Sequence, residues 1–593
     1  MILQALYSAY QRLAENPDVD IAPPGFQYVD FDYAIQLRKD GTFAGFLSLA
    51  DEDGNLRRFL VPSAVKRSSG VASNLLWDKP DYVFLLPKSD DEKYARRARE
   101  QCEAFRNRIR DVFGDLPSDP AVKAVLDFVV SSPPASEVTN DPSWPVIIEK
   151  GRNLCFIYGD DTLPVTQRPD VLEVLKAQAS SPSTSGQTSQ CLVTGEDTVP
   201  ANLHPAIKNV WGAQSAGANI VSFNLDAFCS YGHKSGDNAP VSPEATFAYT
   251  TVLNHLLRKG SRQRMQVGDA STVFWAETPG NPLEDEFAAL LNGEQRTTAG
   301  PDTEGDAVQP VRDLLAAVHK GTLPKEDDQT RFFVLGLGPN ASRIVVRLWY
   351  QDTVNEIRRR IAQHFDDIEL DAGSKRSSHV PLYYLLRATA AQGKADNIVP
   401  NLGGNVMRAI LSGQPYPRLF MQQALLRSRA EQNVSQERAA IMKACLNRMI
   451  RTEQIKGKEL TMALDTSNED IGYLLGRLFA VFERTQSGAM GGDVNASLRD
   501  RFFSAASSTP TTAMPWLQKM NSHHLKKLSR DRKGMAVNLE KLLGEIYDLM
   551  PATGIPAYLS PEQQCQFGVG YYHQKQKFFE PSNNKPSTEA EGE

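Results

Sequence analysis

Apolar residues at Ile2, Leu3, Leu6, Tyr7, Tyr10 and Leu13 recur with a helical period and stop before Pro17, so a helix opens the chain. The period then changes. Tyr33, Ile35 and Leu37 alternate, Asp40-Gly41 supplies a tight turn, Phe43 to Leu49 is strand-like, Asp53-Gly54 turns again, and Leu56 to Val61 completes an expected three-stranded antiparallel meander. From Asp90 to Asp111, seven cations (Lys93, Arg96, Arg97, Arg99, Arg106, Arg108, Arg110) interleave with Tyr94, Cys102, Phe105 and Ile109, predicting an amphipathic helix with a basic outer face. Val146 to Glu149 and Leu154 to Tyr158 read as short strands.

Ser180 to Gln190 is rich in Ser, Thr and Gly with nothing to bury, and marks a linker or exposed loop. After it come an expected helix at Ala245–Leu257, a strand at Thr272–Ala276 and a polar loop at Gly293–Gln309. Phe332–Leu337 and Arg343–Tyr350 then read as two strands joined by a Gly-Pro-Asn turn. Beyond Thr353 the period is helical, and Thr461 to Tyr547 predicts several amphipathic helices broken at Gly488–Asp493 and Ser507–Pro510. The final EPSNNKPSTEAEGE is polar and acidic, a disordered tail by composition. The fold class expected is α+β: a mixed N-terminal part with antiparallel sheet and an all-α C-terminal bundle. The expected divisions are 1–180, 191–425, 426–579 and the tail 580–593.

A chain of 593 residues exceeds what one core usually organises, and 41% hydrophobic with 23% charged residues describes a globular protein. No window approaches the roughly 18 consecutive apolar residues of a membrane helix. The N-terminus lacks a basic region and a small-residue cleavage site, so it reads as mature sequence. Six scattered cysteines without CxxC suit reduced thiols in a cytoplasmic protein rather than a disulfide or zinc framework. A formal charge of −6 provides no global attraction to phosphate, so nucleic-acid binding has to use local basic stripes.

Catalytic signatures are missing from the sequence. Gly336-x-Gly338 lacks the third Gly and the GK[ST] of a phosphate loop and reads as part of a hairpin; Gly403-Gly404 reads as a helix entry. The nine histidines include no HExxH, Asp90-Asp91 and Asp366-Asp367 resemble solvated surface, and neither GxSxG nor an activated cysteine occurs. The chain therefore reads as a binding or scaffold protein with no catalytic residue, metal or cofactor. Two basic segments remain. Lys66, Arg67, Ser68, Ser69 and Gly70, with Asn74 and Trp77 close behind, could neutralise phosphates while a hydroxyl or amide reads a base edge. The plain alternative is a surface loop with Trp77 in the core. His523, His524, Lys526, Lys527, Arg530, Arg532 and Lys533 form a stripe on one expected helix, either a solvated face or a path for single-stranded nucleic acid.

The segments MILQALYSAYQRLAEN, IAPPGF, LVPSAVKRSSGVASNLLWD, CLVTGE, HPAIKNVWGAQSAGANIVSFN, SYG, NAPVSPEATFAYTTVLNHLL, FFVLGLGPNASRIVVRLW, VPNLGGNVMRAILSGQPYPR and YLLGRLFAVFERTQ occur in this order over nearly the whole chain. Together they resemble the large subunit of the type I-C CRISPR surveillance complex (Cascade), the Csd1 family. The resemblance implies a subunit without nuclease activity that sits beside the crRNA handle, contacts the PAM duplex, helps open target DNA, holds the displaced strand and presents a surface to a helicase-nuclease. Its implied partners are crRNA, double-stranded target DNA and the displaced strand, and the backbone, crRNA-processing and small subunits. No membrane partner is expected.

On that basis Lys66, Arg67, Ser68, Ser69 and Asn74 are the first choice for PAM and duplex contact. The second is Gln214, Ser215, Gly217, Asn219 and Asn224, where glycine permits close approach of backbone to DNA. Lys526, Lys527, Arg530, Arg532 and Lys533 become expected contacts of the displaced strand. The family also makes its C-terminal region separately from an internal start. Met462 is the expected start, because Lys458-Glu459 lies two codons upstream and one spelling of that pair is a ribosome-binding sequence; the product is expected to fold independently. The competing class is a stand-alone metal-dependent nuclease.

Overall fold

The computed structural model describes residues 1–51, 56–65, 67, 70–86, 91–115, 117–131, 136–179, 187–291, 304–341, 343–371, 380–491 and 497–579. The architecture is α+β, with sheets mostly in the N-terminal half and, among the described residues, helices beyond Thr353. The chain packs as two compact units: Met1–Ile207 with Asn219–His255, and Lys208–Ala218 with Leu256–Glu593.

In the first unit, α1 (Ile2–Glu15) buries Leu6 and Tyr10 from the expected apolar stripe, and Ala9 beside them. Then follow β1 (Phe26–Phe31), β2 (Tyr33–Leu37), β3 (Phe43–Ser48), β4 (Arg57–Pro62), β5 (Trp77–Asp78), α2 (Pro80–Val83), α3 (Glu92–Phe113), α4 (Pro120–Val130), α5 (Ser136–Thr139), α6 (Trp144–Lys150), β6 (Leu154–Tyr158), α7 (Pro169–Ala179), β7 (Ser189–Gln190), β8 (Asp197–Thr198) and α8 (Pro243–Leu256).

The β2–β3 hairpin forms as expected around Gly41. Gly41 has φ 83°, and a Cβ there would lie 3.3 Å from the Ala124 carbonyl oxygen on α4, so both backbone and space call for glycine. The meander's third strand goes elsewhere. β4 pairs antiparallel with β1, and it meets the end of β3 through an Ala50–Leu56 bridge and the Arg57 N–H on the Leu49 carbonyl. β3 is half exposed, so β4 beside it would leave Phe59 and Val61 uncovered; paired with β1 they join Phe31, Trp77, Cys155 and Ile157 in a core. The free edge of β2 takes β6 in parallel, giving the order β3-β2-β6-β5. β6 is buried on both faces, with Phe156 in one core and Cys155 and Ile157 in another, which explains its unbroken apolar run. Val146–Glu149, expected as a strand, is helical in α6: Pro145 sits in the first turn and Gly151, at φ 55°, ends it.

The second unit holds β9 (Arg264–Val267), β10 (Ala270–Ala276), α9 (Leu283–Leu291), α10 (Glu304–Lys320), β11 (Arg331–Asn340) and β12 (Arg343–Thr353). These strands form one antiparallel sheet in the order β12-β11-β10-β9. The end of the expected polar loop, Glu304–Gln309, is instead the start of α10, which buries Val311 and Leu314. The expected Gly-Pro-Asn turn is strand instead: Gly338, Pro339 and Asn340 end β11 and pair with Val345, Ile344 and Arg343, and a Cβ on Gly338 would come 2.8 Å from Arg347 Nε.

Helices complete the unit: α11 (Val354–Ile368), α12 (Leu382–Ala388), α13 (Leu402–Ser412), α14 (Arg418–Ala430), α15 (Gln436–Arg451), α16 (Ile471–Met490), α17 (Leu498–Ser508), α18 (Pro510–Asp531), α19 (Lys533–Asp548) and α20 (Pro561–Lys577). Gly403, at the start of α13, packs on the β9–β10 turn, where its Cβ would lie 2.9 Å from the Gly268 nitrogen. α20 is buried all round from Cys565 to Gln574, because α15 and α16 pack against it. Gly476 and Gly570 bring the α16 and α20 backbones together, and Gly568 receives Met442 of α15. The tail 580–593 lies outside the described residues.

Candidate nucleic-acid interface

The loop between β4 and β5 is organised by Asp78, which is fully buried. Its carboxylate pairs with Arg67 Nη2 and accepts the backbone N–H groups of Asn74 and Lys79, each at 2.8 Å. Arg67 Nε donates to the Ala72 carbonyl at 2.6 Å, and the guanidinium lies 3.9 Å from the centre of the Tyr82 ring. Asn74 is buried; its Oδ1 accepts the Val65 N–H at 3.0 Å. Ser73 Oγ ties the same loop to the Ala104 carbonyl of α3 at 2.9 Å. Trp77 belongs to the core, its Nε1 donating to the Pro62 carbonyl. Arg67 and Asn74 thus hold the loop in shape, and the Arg67 charge already faces a carboxylate. Gly70 is exposed between them; Lys66, Ser68 and Ser69 lie outside the described residues.

The second expected run divides between the units. Gln214 and Ser215 are exposed in the second, in a turn closed by the Gly217 N–H on the Gln214 carbonyl. Asn219 and Asn224 belong to the first. Asn219 Nδ2 donates to the carbonyls of His204 and Pro205 at 2.8 and 3.2 Å, so this amide fixes its own loop; Asn224 is exposed.

The C-terminal stripe spans two helices rather than one. Lys526, Lys527 and Arg530 lie on α18, Arg532 interrupts it at φ −146°, and Lys533 opens α19. Gly534 just beyond weakens helix continuation. All five cations are exposed, while Leu528 is buried and Leu525 packs on the core. The stripe also extends further back than its sequence suggests, through His523 and Lys519 to Trp516. Trp516 is 63% exposed, with Lys519 Nζ 5.9 Å from its ring centre. At about 100° per residue, Trp516, Lys519, His523, Lys526, Lys527 and Arg530 share an arc about 100° wide, opposite the buried Leu517, Asn521 and Leu528. The signal was the 3-4 spacing back from Arg530, obscured by the lysine-free turn between.

The two basic helices distribute their carboxylates differently. On α3, three of the seven cations are paired at its surface, Arg96 with Glu100, Arg99 with Glu92 and Arg110 with Asp115. Along α18 the first carboxylate is Asp531, the last residue.

Three of the segments that carried the resemblance meet in the first unit. Cys191 of CLVTGE is buried, and its Sγ accepts N–H groups of Val193, Thr194 and, from NAPVSPE, Ser242 at 3.2 Å. Those hydrogen bonds outweigh burial and bring the thiol down to about 7. Leu3 and Tyr7 of the opening helix pack on Cys191, Val193, Val241 and Ala245. This joint ties three segments that are far apart in the chain.

Among the described residues, no group of three or more His, Cys, Asp or Glu is placed to hold a metal ion, and no helix is long and apolar enough to cross a membrane. No curated protein matches the sequence. The family model described as CRISPR-associated protein (Cas_Csd1) matches residues 6–579. The chain belongs to the Csd1 family. It is accordingly a CRISPR-associated, Cascade-type protein that works in a complex with other Cas proteins. For a Csd1 protein, the exposed cations of α18 are a surface that a phosphate backbone could reach.

Proposed function

We propose that this Csd1-family protein is the non-catalytic large subunit of a crRNA-guided type I-C Cascade complex, contacting the PAM duplex, supporting strand opening and holding the displaced strand. The match over residues 6–579 carries this reading. Sequence recognition is left to guide pairing, so the subunit needs only a brief duplex contact, and a local basic loop suffices despite the net charge of −6. The duplex contact is assigned to the β4–β5 loop at Lys66, Ser68 and Ser69, with Arg67 and Asn74 as positioning residues, and secondarily to the exposed Gln214 and Ser215. The displaced strand is assigned to Lys526, Lys527, Arg530, Arg532 and Lys533. A surface for a helicase-nuclease belongs to the same reading.

The deciding experiment measures binding of target DNA, with a cognate or a scrambled PAM, to complexes assembled with and without this subunit. Discrimination is expected only when the subunit is present; equal binding of both targets by both particles overturns the proposal. A stand-alone nuclease would instead cut DNA when the purified chain alone is given magnesium or manganese.

The separate C-terminal product is part of this proposal. Starting at Met462 removes α15 from α20 and opens a buried face that includes Gly568. The fragment is therefore expected as a subunit covered within the particle, and intact mass of the purified complex should show a species beginning at Met462. Its absence rejects the internal start.

A further inference from the structure

We infer that Trp516 is a stacking platform for a base of single-stranded nucleic acid, and that α18 binds the strand through this indole as well as through its cations. The inference rests on the reading of α18 as a strand path and adds what the charges alone do not determine. Trp516 is a large aromatic at 63% exposure on a helix whose neighbouring positions bury Leu517 and Met514, so the fold had an apolar side for it and did not use it. Lys519 Nζ lies 5.9 Å from the ring centre, so a cation able to meet a phosphate stands within reach of the indole. Lys526, Lys527 and Arg530 follow on the same arc, so the face measures about 21 Å from Trp516 to Arg530.

The combination selects a single strand. A duplex keeps its base faces stacked and presents only phosphates to a helix surface, so an indole gains nothing from it; an unpaired base offers a π-face without regard to sequence. A strand displaced from a duplex has both exposed phosphates and unpaired bases.

The test uses the full chain with a homothymidine oligonucleotide and an abasic strand of the same length and charge. Trp516→Ala is expected to weaken thymidine-strand binding on the order of tenfold and to leave abasic-strand binding unchanged. Trp516→Phe should retain most of the affinity. The paired change Lys526→Ala and Lys527→Ala should weaken both strands equally and reduce the salt slope by about 1.4. Unchanged thermal unfolding of Trp516→Ala certifies the fold. If Trp516→Ala affects both strands alike or neither, while the lysine pair still weakens both, the stacking role is overturned and the electrostatic path stands. If neither variant changes strand binding, the path itself falls. Loss of assembly with other subunits at unchanged strand affinity would assign the face to a protein partner and overturn the inference.

Discussion

Arg67 and Asp78 form an ion pair in which the carboxylate is wholly buried and the guanidinium side chain 27% exposed. A buried charge with one main partner is costly to abandon, so this pair fixes the β4–β5 loop more firmly than its polar sequence suggests. The two cations of the loop should therefore behave differently. Lys66→Ala should reduce the salt slope of target-duplex binding by about one. Arg67→Ala should leave that slope nearly unchanged and instead destabilise the first unit by about 3 kcal/mol. Salt-titrated binding by the assembled complex, together with thermal unfolding, separates them.

Arg448 and Asp367 make the corresponding pair in the helical unit, 2.6 Å apart and each 1% exposed. Arg448 also donates to the carbonyls of Ala409 and Gln414 and stacks 4.0 Å from the Tyr416 ring centre, joining α11, α13 and α15. Arg451 Nη1 also reaches Asp367, at 3.0 Å, so Arg448→Ala leaves the carboxylate one partner and is expected to cost about 3 kcal/mol. Arg448→Lys should recover little, since an ammonium lacks the planar fork. Denaturant midpoints of the two variants check this.

At the α16–α20 crossing, a Cβ on Gly476 would lie 2.1 Å from the Phe567 carbonyl oxygen. Backbone cannot yield as a side-chain end can, so Gly476→Ala should destabilise by about 3 kcal/mol. Gly544, in α19, has nothing within 4 Å of its Cβ position. There the same substitution should stabilise by about 1 kcal/mol through helix propensity. Opposite shifts in melting temperature are the expected readout.

Acid should loosen the helical unit through two histidines. Burial first, with Arg448 adding, takes His364 down to about 3, and burial first, with Lys443 adding, takes His573 down to about 4. His364 Nδ1 is 2.6 Å from Tyr416 Oη, and His573 Nδ1 is 2.9 Å from Tyr473 Oη. Both imidazoles are neutral when folded and take up protons near 6.5 when unfolded. Their stabilisation is thus complete above about pH 6.5 and declines as pH falls toward 4 and then 3, by a few kcal/mol each, at about 1.4 kcal/mol per unit. Replacing His573 by Gln should flatten the pH dependence of the unfolding midpoint between 6.5 and 4; an unchanged profile rejects the assignment.

The sequence by itself determined the elements whose pattern is local. The opening helix, the β2–β3 hairpin, the β11–β12 pair and the C-terminal helices with their breaks follow from apolar spacing, turn residues and caps, all written within a few positions of the element. The family, too, was legible in the ordered segments. What the tertiary structure decided was partnership. β4 left the meander for β1 because burial of Phe59 and Val61 depends on a distant core. Gly151 and Pro145 made a helix from a run whose β-branched residues suggested a strand. The candidate loop changed its meaning for the same reason: Arg67 and Asn74 read as free polar groups until Asp78 was placed beneath them. Trp516 went unrecognised because exposure belongs to the packed surface, and only the fold turned Leu517 inward and left the indole outside. Local periodicity fixes which residues share a face; the free energy of covering one face with another, set by residues far apart in the chain, decides which face meets solvent.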